Sequence, residues 1–275
     1  MGDDAAAVRA PPGFLLLASD ILVEGTHFDL SFSTPADAGW KAVAANVSDI
    51  AAMGGRPLHL LVSVAAPPRF DVEALYEGIA DAAREWRCAV VGGDLANGPV
   101  ATVAVAITGT TDGLRPVCRS GARAGDHVLV TGPLGAAAAQ LRALRRGDAG
   151  HGWAHRRPTA RVVAGRAAAE AGATAMIDVS DGLAADLGHI LDASLVGVRL
   201  DRVPVHADAT LDDALGGGDD YELVICAPDP GAVVDVVVAA GEPEPQVIGR
   251  CTDDPGERLL AGAPMPAGGW EHQWG

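Results

Sequence analysis

The residues with chemical potential in this chain are carboxylates, and they recur in one setting. The run Ala175-Met176-Ile177-Asp178-Val179-Ser180-Asp181-Gly182-Leu183 carries a short apolar stretch into two acids and a hydroxyl, directly before a helical pattern. Similar junctions occur at Ser19-Asp20 after Phe14–Ala18, at Gly92-Gly93-Asp94 after Cys88–Val91, and at Gly216-Gly217-Gly218-Asp219-Asp220. Gly2-Asp3-Asp4 repeats the pairing at the very start, where a preceding segment is expected to support it. Acids crowded at a turn repel one another unless they are protonated, spread apart or held by a cation. The chemistry this favours is a metal-bridged phosphate site. The plain alternative at each junction is a turn or a helix cap, because Asp and Gly favour both.

Composition narrows the partners. A net charge of −16 argues against nucleic-acid binding, which requires a basic face. It does not argue against nucleotides, because divalent cations can bridge carboxylates to a polyphosphate. No Gly-x-x-x-x-Gly-Lys-Ser/Thr loop, protein-kinase motif set, Gly-x-Ser-x-Gly elbow or His-Glu-x-x-His is found. Cys88, Cys118, Cys226 and Cys251 form no Cys-x-x-Cys pair and read as free thiols. Oxygen donors without His or Cys clustering suit Mg²⁺. No apolar run approaches the roughly 18 residues of a membrane span, and no signal-like N-terminus is read, so the expected address is cytoplasmic. Lys41 is the only lysine among 20 basic residues, a bias read as compositional.

The elements that would position these acids follow from periodicity. Leu183, Leu187, Ile190 and Leu191 predict a helix after the corner, with Ser180 or Asp181 as N-cap. Asp37 is expected to cap a helix through Met53 with Trp40, Ala44, Val47 and Ala51 as its core stripe; Asp49 is the odd residue on it, with no base among its helical neighbours. Strands are expected at Leu58–Val64, Ala101–Thr110, His127–Val130 and Val196–Leu200, and a helix over 71–86. Residues 145–157 read as an Arg-, His- and Gly-rich loop. The polar joint Arg119–Asp126 places a domain boundary near 120, giving 1–120 and 121–275.

Taken in order, Gly2-Asp3-Asp4-Ala5, Ser19-Asp20 with Glu24-Gly25-x-His27-Phe28, Gly39-Trp40-Lys41-Ala42, Asn46-Val47-Ser48-Asp49-Ile50-Ala51-Ala52-Met53-Gly54, Gly92-Gly93-Asp94, Arg119-Ser120-Gly121, Ile177–Leu183 and Gly217-Gly218-Asp219-Asp220-Tyr221-Glu222-Leu223 resemble the thiamine-monophosphate kinase family. The set spans nearly the whole chain. The resemblance implies a two-domain α+β fold shared with aminoimidazole ribonucleotide synthetase, an N-terminal domain that pairs in a homodimer, and ATP between the domains. It implies Asp3, Ser19, Asp20, Asp49, Asp94, Asp178 and Asp181 for Mg²⁺; Gly93, Asp94, Arg119 and Ser180 for ATP; and His27, Asp219 and Trp270 for thiamine monophosphate. Asp181, Asp94 and Arg119 would be the catalytic set. Asp219 stands where the family usually has Glu, and Ala18 where a hydroxyl is common. Other readings in view are a related ATP-using enzyme such as selenophosphate synthetase, and a nucleotide- or metal-binding protein without catalysis.

Overall fold

The computed structural model describes residues 12–148 and 152–270, so Asp3 lies outside the described residues. In chain order the elements are β1 (Leu15–Val23), α1 (Pro35–Ala52), β2 (Arg56–Ala66), α2 (Val72–Glu85), β3 (Ala89–Asn97), β4 (Thr102–Thr110), β5 (His127–Val130), α3 (Ala136–Arg145), α4 (Trp153–Arg156), α5 (Val162–Glu170), β6 (Ala175–Asp178), α6 (Leu183–Ser194), β7 (Gly197–Leu200), α7 (Leu211–Gly216), β8 (Leu223–Ala227), α8 (Pro230–Ala239), β9 (Gln246–Thr252), β10 (Arg258–Leu260) and β11 (Ala263–Pro264).

Strands before residue 111 form one sheet in the order β1-β4-β2-β3, and later strands form a second in the order β11-β10-β7-β9-β5-β8-β6. The first sheet is covered on one face by α1 and α2, whose Val43, Val47, Ile50, Leu75 and Ile79 meet Leu60, Val62, Val103 and Val105 in a single core. Gly78 lets the two helices touch: a Cβ there would lie 1.9 Å from the Ala36 carbonyl oxygen. The second sheet is covered on both faces, as its uninterrupted apolar strands require. Along β5, Val128 and Val130 join the core under α6, while Leu129 joins the core under α5 and α8.

Helix α1 is the element that matters most for function, because it is buried nearly all round and touches both sheets. Its cap is Thr34 rather than Asp37. The Thr34 hydroxyl accepts from the Asp37 amide and the Asp37 carboxylate accepts from the Thr34 amide, both at 3.1 Å, a reciprocal capping box one turn earlier than Asp37 alone suggested. Ala44, Val47 and Ala51 are buried as their spacing predicts, and Trp40 is half-buried. Against the second unit, the Ala51 carbonyl lies so close to Gly165 of α5 that a Cβ there would be 2.2 Å away. No helix among the described residues is long and apolar enough to cross a membrane.

Two expected strand ends move. β1 runs through Ser19 and Asp20 to Val23, and β3 runs through Gly93 and Asp94 to Asn97. A strand tolerates an acid on an alternating face without ending, although Asp beside Gly or Ser favours a turn on residue type alone. Only Asp178 ends its strand. The expected 145–157 loop also contains a helical turn, α4, which docks on α1.

Candidate functional site

The corner after β6 is shaped by backbone bonds from three directions. Residues Asp219–Glu222 run back along it: the Asp219 amide donates to the Ser180 carbonyl, the Tyr221 amide to that of Val179, and the Val179 amide to that of Glu222, all at 2.8 Å. The Trp270 amide donates to the Asp181 carbonyl at 3.0 Å. The expected side-chain cap by Ser180 or Asp181 is not formed. The N-cap of α6 is Gly182, with φ 110 and no side-chain cap bond, a backbone shape that L side chains rarely adopt. Instead Asp186, one turn into the helix, accepts the Asp181 and Gly182 amides, each at 3.0 Å. Holding the start of α6 thus falls to Asp186, not to the acids of the corner.

Those acids meet α1 and β1. The Ser48 hydroxyl donates to a carboxylate oxygen of buried Asp178 at 2.6 Å, which ties the two halves of the chain together. Asn46, fully buried, accepts the Asp20 amide at 3.1 Å and donates to the Ala42 carbonyl at 2.9 Å, which sets where Asp20 stands. The acids lie within electrostatic reach of one another. Burial, then Asp178 and Asp20, push the Asp49 carboxyl up to about 8, with only Arg119 opposing. Burial and Asp20 push Asp178 up to about 6 against the Ser48 bond. Burial and Asp181 raise Asp20. Burial, with lesser pressure from Asp178 and Asp181, lifts Asp186 to about 7 even though it accepts two amides.

Asp20, Asp49, Asp178 and Asp181, expected as metal ligands, are therefore neighbours at the junction of α1, β1 and the β6–α6 corner, with Arg119 as the compensating base. Arg119 reaches them from a joint pinned by Ser194, whose hydroxyl donates to the Arg119 carbonyl at 2.9 Å and accepts the Gly121 and Ala122 amides. Among the described residues, no three His, Cys, Asp or Glu side chains close into a ready-made metal cage. Ser19 and Asp94 stand elsewhere. The Ser19 hydroxyl donates to the Val105 carbonyl at 3.0 Å and, one residue from Asp20 on a strand, lies on the opposite sheet face. Asp94 pairs in register with exposed Ser63 on that same open face. Gly93 beside it is in register with Val62; a Cβ there would sit 1.8 Å from the Val62 carbonyl oxygen, so the position admits only glycine.

A second cluster lies where residues 27, 41, 155 and 219 meet. The Lys41 ammonium, 2% exposed, donates to the His27 carbonyl at 2.8 Å and to the Asp219 carboxylate at 2.7 Å. The other Asp219 oxygen accepts the Tyr221 hydroxyl at 3.1 Å. Asp219, its side chain one third exposed, is held below the usual carboxylate range chiefly by the Lys41 ammonium. His27 accepts the Val23 amide on Nδ1 at 3.0 Å, so the neutral ring carries its proton on Nε2. Buried His155 arrives on α4, with Nδ1 3.7 Å from Asp219, and burial with nearby Lys41 pushes it down to about 4, leaving it neutral. Arg157 fastens that segment by an ion pair with Asp37 at 2.6 Å, its guanidinium over both Trp40 and Trp153. Trp40 donates to the Pro158 carbonyl at 2.8 Å. Lys41, His155, Ser48, Asn46 and Asp186 were not singled out as site residues. For Lys41, Asn46 and Ser48 the available signal is polarity on α1, a helix rich in small apolar residues; His155 on α4 and Asp186 on α6 carry no such local signal.

Residues 2–111 match the N-terminal domain, and residues 123–262 the C-terminal domain, of AIR synthase related proteins. The thiamine-monophosphate kinase of Mycobacterium tuberculosis is 39% identical over 98% of this chain and 84% of its own length. The chain belongs to the thiamine-monophosphate kinase family. The structure of the family member from Stenotrophomonas maltophilia superposes with a TM-score of 0.85 at 32% identity, covering 96% of this chain and 90% of that one. AaThiL complexed with AMPPCP and TMP superposes with a TM-score of 0.84, also at 32% identity and the same coverage. The shared fold accounts for the ordered motifs: among the described residues, those that bear acids lie on β1, α1, β3, the β6–α6 corner and the 217–222 run, and the Arg119 motif lies on the 119–122 joint.

Proposed function

We propose that the protein phosphorylates thiamine monophosphate to thiamine diphosphate with ATP, by direct in-line transfer of the γ-phosphoryl group. The observation that carries this reading is the acid quartet Asp20, Asp49, Asp178 and Asp181, contributed by both halves of the chain and offset by Arg119. The donor set fits Mg²⁺: it is all oxygen, and Asp49 and Asp178, raised first by burial and then by neighbouring acids, are carboxyls whose ionised form a divalent cation would stabilise. When bound there, Mg²⁺ neutralises phosphate charge and keeps several waters. Asp20, Asp49, Asp178 and Asp181 would hold it, with Asp3 as a further expected ligand, whereas Ser19 and Asp94, on the open face of the first sheet, do not join this set. Arg119, Ser180 and Gly93 would line the ATP side, and His27, Asp219 and Trp270 the thiamine monophosphate side. The acceptor is an ionised phosphate at neutral pH, so the protein's task is alignment and charge neutralisation, with little need for a strong base.

The test is purified protein with ATP, Mg²⁺ and thiamine monophosphate. Thiamine diphosphate and ADP are expected in equal amounts, with Asp181→Asn inactive as control. A phosphoenzyme trapped during turnover would overturn direct transfer, and nucleotide binding without product would overturn catalysis.

We further propose a division at residues 1–120 and 121–275, and a homodimer through the open face of the first sheet. Leu15, Leu17, Ile21 and Leu61 stand about half or more exposed there, and Leu17 is 73% exposed. Exposed apolar patches of this kind mark interaction surfaces. Leu17→Asp is expected to give a monomer in sedimentation; an unchanged dimer would place the contact on another face.

A further inference from the structure

We infer that Lys41 is a positioning residue for the thiamine monophosphate subsite, holding His27 and Asp219 at a fixed spacing across the two halves of the chain. The inference rests on the assignment of those two residues to the substrate. Lys41 is the only lysine in the chain and is 2% exposed. A buried ammonium is costly unless it is paired and hydrogen-bonded, so its two acceptors define what it is for. One is the carbonyl of His27, 14 residues away, and the other is the carboxylate of Asp219, 178 residues away.

Asp219 needs such a hold. Its backbone sits at φ 60 and Tyr221 at φ 52, both in the left-handed region that non-glycine residues seldom occupy. The strap therefore depends on side-chain contacts as well as its amide bonds to Ser180 and Val179. Tyr221 takes one carboxylate oxygen and Lys41 the other, with His155 beside it. The Asp219 side chain keeps 33% of its surface open, enough to meet a ligand while its orientation is set from behind. Aspartate is one methylene shorter than glutamate, so a fixed orientation matters more for its reach.

The experiment compares Lys41→Met, Lys41→Arg, Asp219→Asn and His27→Ala for the KM of thiamine monophosphate, and titrates each with an ATP analogue and Mg²⁺ in the absence of thiamine monophosphate. Lys41→Met is expected to raise that KM about 10- to 100-fold, the cost of a misplaced positioning group, with nucleotide affinity within about twofold of the parent. Lys41→Arg should recover part of the loss. The Lys41→Met/Asp219→Asn pair should be less than additive, because both remove one interaction. If Lys41→Met does not fold, Lys41→Arg carries the test, since it keeps the charge and changes the geometry. Lys41 variants with an unchanged KM, or with nucleotide affinity weakened equally, overturn the inference. If Asp219→Asn and His27→Ala also leave the KM unchanged, the subsite assignment fails first; if they raise it and the Lys41 variants do not, only the role of Lys41 fails.

Discussion

Asp178→Asn is expected to lower kcat/KM by roughly 10³-fold, several kcal/mol of charge stabilisation, and to raise the Mg²⁺ concentration needed for half-maximal rate. Asparagine keeps the volume of the buried side chain, and its oxygen can still accept the Ser48 hydroxyl now 2.6 Å from the carboxylate. The fold should survive while the charge is lost. Ser48→Ala makes the contrast. It removes the bond and leaves the carboxylate, so a loss of about 10-fold is expected, typical of a group that orients a metal ligand. A steady-state Mg²⁺ titration of both variants decides the matter. If Asp178→Asn stays within about 10-fold of the parent at every Mg²⁺ concentration, the corner is a structural joint and the cation lies elsewhere.

Much of this arrangement was readable because its signals are local. Leu183, Leu187, Ile190 and Leu191 are each fully buried, as their helical spacing required, and Asp49 stood out on α1 because nothing basic lay within a helical turn. The misreadings came where a local rule had two solutions. Thr34 and Asp37 both satisfy a capping preference, and the box uses both, with the threonine outermost. Ser180 and Asp181 look like caps from the sequence, yet Asp186 does the amide-binding from inside the helix, a contact that spacing alone does not distinguish from a surface acid. Asp20 and Asp94 resembled strand ends because acids favour turns, whereas each occupies one face of a strand that continues.

What stayed hidden is long-range. Lys41 was unremarkable because its acceptors are a backbone carbonyl and an acid 178 residues away, and neither leaves a mark near position 41. His155 and Arg157 lie in a run whose composition reads as a solvated loop. Their anchors, Asp219, Asp37 and Trp40, belong to distant elements that only the tertiary fold brings alongside. The same holds for Ser48: one hydroxyl on a helix of small residues acquires meaning only when β6 is packed against it.

Asp49→Asn is expected to move stability and activity in opposite directions. In the absence of divalent cations, the Asp49 carboxyl sits at about 8, whereas its ordinary value is 3.8. Between those values the folded state holds a proton that the unfolded chain has released, so the stability this group contributes is complete below its ordinary value and lost as pH rises through about 8. Asp178 adds a loss of the same sign, finished by about 6. The metal-free parent should therefore melt at progressively lower temperature as pH is raised from about 5 to about 8. An asparagine side chain cannot ionise, so Asp49→Asn should flatten that slope and melt higher than the parent at pH near 8. Adding Mg²⁺ at that pH should raise the parent's melting temperature more than the variant's, because a ligand stabilises only in proportion to its affinity for the folded state. Activity should fall by about 10²-fold or more, since the same carboxylate would help hold the cation that neutralises phosphate charge. Melting curves across pH, with and without Mg²⁺, separate this from a solvated surface acid, for which parent and variant would superimpose. A variant that is both less stable without metal and inactive would instead show that Asp49 is held by partners within the protein, and that the acids around it are not waiting for a cation.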